Sequence, residues 1–110
     1  MIDRGLTLPC PGCGSHYMHQ KTIQLFHRTM EDSDEGLYAF FAVDGCEFKM
    51  TKGDMPDGNP SWRRDGWVIG FTCEECDLNP TLYIAQHKGK THVQWAHDPD
   101  LHVQSVESEA

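Results

Sequence analysis

The sequence predicts a mainly β domain of antiparallel strands, with little or no helix. Three observations carry that prediction. Apolar and polar residues alternate with a period of two over several short runs, as strands with one buried face require. Glycine and proline cluster between those runs, where turns need a positive or a fixed φ. No long run repeats its apolar residues at helical spacing. The 110 residues suit one domain. A hydrophobic content of 38% places the chain with globular rather than disordered sequences.

Residues 6–8 read as an entry strand that runs into a tight turn punctuated by Pro9, Pro11, Gly12 and Gly14. Residues 21–29 alternate, with Ile23 and Leu25 on one face and Thr22 and Gln24 on the other. The acidic run Glu31-Asp32-Ser33-Asp34-Glu35 makes a solvated turn ending at Gly36. Residues 37–43 form an aromatic-rich second strand, and Asp44-Gly45 is a strong hairpin signal. Cys46, Phe48 and Met50 alternate with polar neighbours in a third strand, which makes Cys46 a buried apolar thiol. Residues 52–65 carry Gly53, Pro56, Gly58 and Pro60 and read as a long loop. Residues 66–73 resume the alternation with Trp67, Ile69 and Phe71 on one face. Residues 81–87 and 91–96 form a hairpin around Lys88-Gly89-Lys90. Leu82 and Ile84 share one face of the first strand; in the second, Val93 and Trp95 point inward and His92 and Gln94 outward. The domain spans residues 1–97, and the composition of residues 98–110 predicts an acidic, flexible tail.

Cys10-Pro11-Gly12-Cys13-Gly14 and Cys73-Glu74-Glu75-Cys76 are both CxxC pairs. Two intervening residues let one turn aim both sulfurs at a single ion. Two such turns supply the four thiolates of a tetrahedral Zn²⁺ site. Residues 14–72 separate the pairs, which fits a zinc ribbon with a β-hairpin inserted between its knuckles. A redox CxxC would open a helix in a βαβ unit, and no such pattern is present. Disulfides are disfavoured in the cytoplasmic compartment the sequence predicts. The N-terminal residues lack the apolar core of a signal peptide, and the longest apolar run, residues 37–43, is too short to span a membrane. A local set of Cys10, Cys13, His16 and His19 would form a cramped chelate and leave Cys73 and Cys76 unused. Iron is the alternative occupant of a four-cysteine site. Four thiolates leave no position open for a catalytic water. No catalytic constellation stands out elsewhere, so the sequence predicts a protein that is not an enzyme.

The formal net charge is −8, with nine Lys and Arg against seventeen Asp and Glu. Phosphate neutralisation by Lys and Arg dominates non-specific nucleic-acid binding, so this balance argues against a general role of that kind. It suits a protein partner with a basic face, and it also simply keeps a chain soluble. Trp62, Arg63, Arg64 and Trp67 form the most distinctive stretch and could hold a phosphate, a carboxylate or a base. The plainer alternative pairs Arg63 or Arg64 with Asp57 or Asp65. His87, Lys88 and Lys90 form a basic hairpin tip that could join the arginines in one positive face.

Through its two CxxC elements the chain resembles zinc-ribbon proteins. It is also similar to a group of small uncharacterised proteins of bacteria and their phages. That similarity runs through Asn59-Pro60-Ser61 with Arg63-Arg64-Asp65-Gly66, then Cys73-Glu74-Glu75-Cys76, then Gln86-His87-Lys88-Gly89-Lys90-Thr91. The resemblance covers about residues 10–95 and implies a ribbon-like fold, a metal site and a phage or prophage setting. The leading expectation is a non-enzymatic zinc-binding module acting through a protein partner, such as a host protein. The alternative is a nucleic-acid-binding ribbon that uses Arg63, Arg64 and the tip at residues 87–90.

Overall fold

The computed structural model describes residues 5–96. Its strands are β1 (Met18–Arg28), β2 (Glu35–Ala42), β3 (Glu47–Asp54), β4 (Gly66–Cys73), β5 (Thr81–His87) and β6 (Lys90–Trp95). They form one antiparallel sheet in the order β3-β2-β1-β4-β5-β6, with no helix among the described residues. The chain meanders outward twice. β1 to β3 build one wing, β4 to β6 build the other, and the β1–β4 pairing joins them. The mainly β fold expected from the alternation is therefore present. The expected tail at residues 98–110 lies outside the described residues.

Several boundaries differ from the sequence reading. No strand forms at residues 6–8; the backbone there is irregular up to the turn that opens at Pro11. Pro9 and Pro11 remove N–H donors on both sides of Cys10, so a ladder has little to hold it. β3 runs on through Lys52 and Gly53 to Asp54, residues assigned to the loop. Pairing with Glu35–Leu37 holds them, and Gly53 meets the need for a φ of 110°. The Asp44-Gly45 turn forms as expected, but it spans residues 43–46. Cys46 closes it with a φ of 52°, and its thiol is exposed. The expected buried thiol is thus corrected: the residue belongs to the turn, and the strand begins one residue later. Lys88 and Gly89 make the β5–β6 turn with φ of 52° and 78°. Both positive values match a type I′ hairpin, where glycine sits at no steric cost.

The registers separate two faces of the sheet. One carries two complete cross-strand rows: Phe48, Phe41, Ile23, Ile69, Leu82 and Trp95, then Met50, Ala39, Leu25, Trp67, Ile84 and Val93. The opposite face carries Phe26, Val68, Ala85 and His87, all buried, with Phe26 fully so. Residues 55–65 cross that second face on their way from the β3 edge to β4 at the centre. Gly58 lies against the Phe26 ring, and a Cβ on Gly66 would stand 2.7 Å from the Pro60 ring. The sequence reading placed Val93 and Trp95 inward and His92 and Gln94 outward. The loop covers the other side, although Ala39, Phe71 and Leu82 on the Val93 side are buried as well. Val93 is 57% exposed, while the His87, His92 and Gln94 side chains hold buried polar atoms without a hydrogen-bond partner. Alternation distinguishes two faces, but which one is covered depends on the loop.

Arg28 holds that loop in place. Its guanidinium donates to the carbonyls of Ser33, of Ser61 at 2.9 Å and of Arg64 at 3.0 Å. Ser61 in turn donates its hydroxyl to the Gln86 carbonyl at 2.8 Å, and Asn59 donates to the Arg64 carbonyl at 3.1 Å. A loop this long has many backbone groups to satisfy, and these side chains satisfy them.

Candidate metal centre

One CxxC turn precedes β1 and the other follows β4, which puts both at the same end of this antiparallel pair. Cys73 is the last residue of β4, and Met18, the first of β1, lies directly across from it. Cys10 and Cys13 sit in the turn just before β1, so the antiparallel register alone delivers both knuckles to one end of the sheet. A backbone hydrogen bond from the Glu74 N–H to the Tyr17 carbonyl, 3.0 Å, ties the two segments together.

Backbone bonds close the first knuckle, and N–H groups face a sulfur in both. The Cys10 N–H donates to the Ser15 carbonyl at 2.7 Å, and the Gly14 N–H to the Cys10 carbonyl at 2.8 Å. Gly14 takes a φ of 80°, which a non-glycine residue would adopt only under strain. The Gly12 N–H points at the Cys10 sulfur and the Glu75 N–H at the Cys73 sulfur, both at 3.4 Å. These paired N–H groups stabilise negative charge on the thiolates they face.

The four sulfurs of Cys10, Cys13, Cys73 and Cys76 lie within 4.8 Å of one another. Across the knuckles, Cys10 and Cys76 are 3.7 Å apart and Cys13 and Cys73 3.6 Å. Four thiolates at about 2.3 Å from one ion in a tetrahedron would stand about 3.8 Å apart. A disulfide needs about 2.05 Å, and all five cysteines are free thiols. The cluster therefore sits where it could hold a metal ion. His16 and His19 do not join it. His19 pairs with Glu74, so the local Cys10, Cys13, His16 and His19 set is not assembled.

Crowding splits the thiols. Burial raises the Cys10 thiol, but the Cys13 and Gly12 N–H groups and the neighbouring sulfurs lower it further, to about 7. The Leu78 N–H lowers Cys76, but burial and the three other cysteines prevail and push it up to about 12. For Cys13 the Ser15 N–H lowers, burial and Cys73 raise, and the net direction is up. Four sulfurs this close do not ionise together unless a cation neutralises them.

The remaining sequence-predicted residues are placed less uniformly. Arg63, Arg64 and Trp67 share an open cleft of about 570 Å³ with His27 and Gln86. Both arginines are paired across it. Arg63 reaches Glu31 and, at 2.9 Å, Asp32, while Arg64 reaches Glu31 at 3.1 Å. These partners are not the Asp57 or Asp65 that the plainer alternative named. Asp65 instead accepts from the Arg28 N–H at 3.0 Å and meets His27 at 2.8 Å. Trp62 is exposed and lies outside the lining of that cleft. His87 is buried under the loop side of the sheet, which corrects its place in an exposed basic tip; Lys88 and Lys90 do lie exposed at the turn. Arg28 was missed by the sequence reading. Its signal was a lone arginine ending an apolar strand beside an acidic run, which is too common a pattern to single out. No family model, curated protein or solved structure matches this chain.

Proposed function

We propose that the four-cysteine centre holds one structural Zn²⁺ in a non-enzymatic module that acts through a protein partner. The observation that carries the reading is the sulfur cluster itself, whose cross-knuckle spacings of 3.6 and 3.7 Å match a closed tetrahedral site. Zinc has no geometric preference beyond ligand packing, so this soft, compact donor set suits it. A closed site lends stability rather than chemistry, and structural zinc supplies on the order of 10 kcal/mol. The acidic balance supports a partner with a basic surface. The resemblance to bacterial and phage proteins supports seeking that partner among host proteins.

Elemental analysis tests the metal. One zinc per chain is expected, lost in Cys73→Ser; iron, or no metal in folded protein, overturns it. Affinity capture with the zinc-loaded chain tests the partner, and capture of nucleic acid in place of protein overturns that part. The nucleic-acid alternative is weakened because Glu31 and Asp32 already occupy both arginines. If it holds nonetheless, binding falls steeply with salt and is lost in Arg63→Ala/Arg64→Ala.

A further inference from the structure

We propose that the apolar face of the sheet, opposite the loop of residues 55–65, is a self-association surface, on which a second copy of this chain packs face to face. The two apolar rows described above run unbroken across all six strands, and none of their twelve positions is charged. Ala39 and Leu82 within the rows are buried, at 5% and 7%, while larger side chains around them stand open. Phe48, Met50 and Val93 are 56%, 55% and 57% exposed, and Phe41 and Trp67 42% each. Contiguous apolar patches beyond a few hundred Å² mark interaction sites on soluble proteins.

Size and charge identify the occupant. Six strands about 4.8 Å apart and about eight residues long give the two rows together with their charged rim a face of roughly 700 Å². That is close to the ~800 Å² per partner of a standard stable interface. A neutral face does not select a charged partner; it fits a surface that is itself broad, apolar and neutral. The described chain offers one such surface, and a two-fold axis makes it complementary to itself. Lys52 and His27 border the rows beside Glu35 and Asp54, so the rim carries both signs, as a self-complementary contact needs. Two sheets packed this way stand about 10 Å apart as a sandwich. Edge addition is the less suitable mode, because Lys49, Lys52 and Lys90 lie on the two edge strands, where charge opposes strand pairing. Residues 97–110 hold three large aliphatic side chains, Leu101, Val103 and Val106, too few to cover twelve positions.

Sedimentation of the full chain tests the proposal independently of the metal reading, which survives its failure. The wild type is expected at about twice the 12.5 kDa chain mass at tens of micromolar. Met50→Lys/Val93→Lys changes two half-exposed side chains on edge strands, so the sheet is expected to keep its circular dichroism. Its dimer dissociation constant is expected to rise by roughly 100-fold or more, because burying lysine is costly. A wild type that stays monomeric at about 100 µM overturns the proposal, whether the face is then covered by the tail, by lipid or by another protein. So does an unchanged dimer in a folded lysine variant. If that variant does not fold, tryptophan emission of the wild type decides. A blue shift with concentration, from Trp67 leaving water, is expected, and no shift overturns the proposal.

Discussion

Arg28 acts as a hub because its planar group can donate in several directions at once. Its side chain is 9% exposed and serves the carbonyls of Ser33, Ser61 and Arg64. Arg28→Ala is expected to cost about 3 kcal/mol, since buried acceptors then lose their donors. Arg28→Lys is expected to recover little, because an ammonium cannot span the same fork. Urea denaturation of both variants checks this. Gln94 presents the opposite case. Both polar atoms of its amide are buried and without a hydrogen-bond partner. An unsatisfied buried group is a standing penalty, so Gln94→Leu is expected to raise stability by about 1 kcal/mol in the same assay. Neither role is legible in the sequence. Arg28 and Gln94 look like ordinary polar residues at alternating positions, and their surroundings are supplied by residues far along the chain.

At the scale of elements, the two knuckles meet through the Glu74 N–H bond to the Tyr17 carbonyl and through their clustered sulfurs. Chelation of the metal is therefore expected to raise amide exchange first in residues 5–17 and 74–80. The β5–β6 hairpin, which contributes no cysteine, is expected to stay protected longer. Hydrogen–deuterium exchange with and without chelator checks that order. Metal binding is also coupled to protons. With Cys76 held near 12 and Cys13 raised, thiols are protonated at pH 7 before binding and ionised after it. More than one proton is expected to be released per ion, and affinity is expected to fall as pH falls, because protons compete for the same sulfurs. Calorimetry in buffers of different ionisation enthalpy checks this. Strands and turns were well foretold at this scale, since alternation and Asp44-Gly45 are local signals. The four-cysteine cluster was legible because CxxC spacing is local too. The covered face was not, because residues 55–65 cover it through Pro60, Ser61 and Arg28, and that contact is not local.

For the whole molecule, the position of the sulfur cluster on the topology matters as much as its chemistry. Each wing is a meander whose contacts lie close in sequence, so each can form early and by itself. The β1–β4 seam is different, since it must bring together segments as far apart as Cys13 and Cys73, 60 positions along the chain. Closing a loop of that length costs about 3–4 kcal/mol of chain entropy before the seam gains any contact. An ion gripped by both knuckles closes that loop at the seam's end, beside the Met18–Cys73 pair that starts its register. Zinc is thus expected to act as a nucleator as well as a stabiliser. Stopped-flow refolding with stoichiometric zinc should be at least tenfold faster than with chelator, while the unfolding rate changes less. The order in which the chain folds would then be set by when its metal arrives.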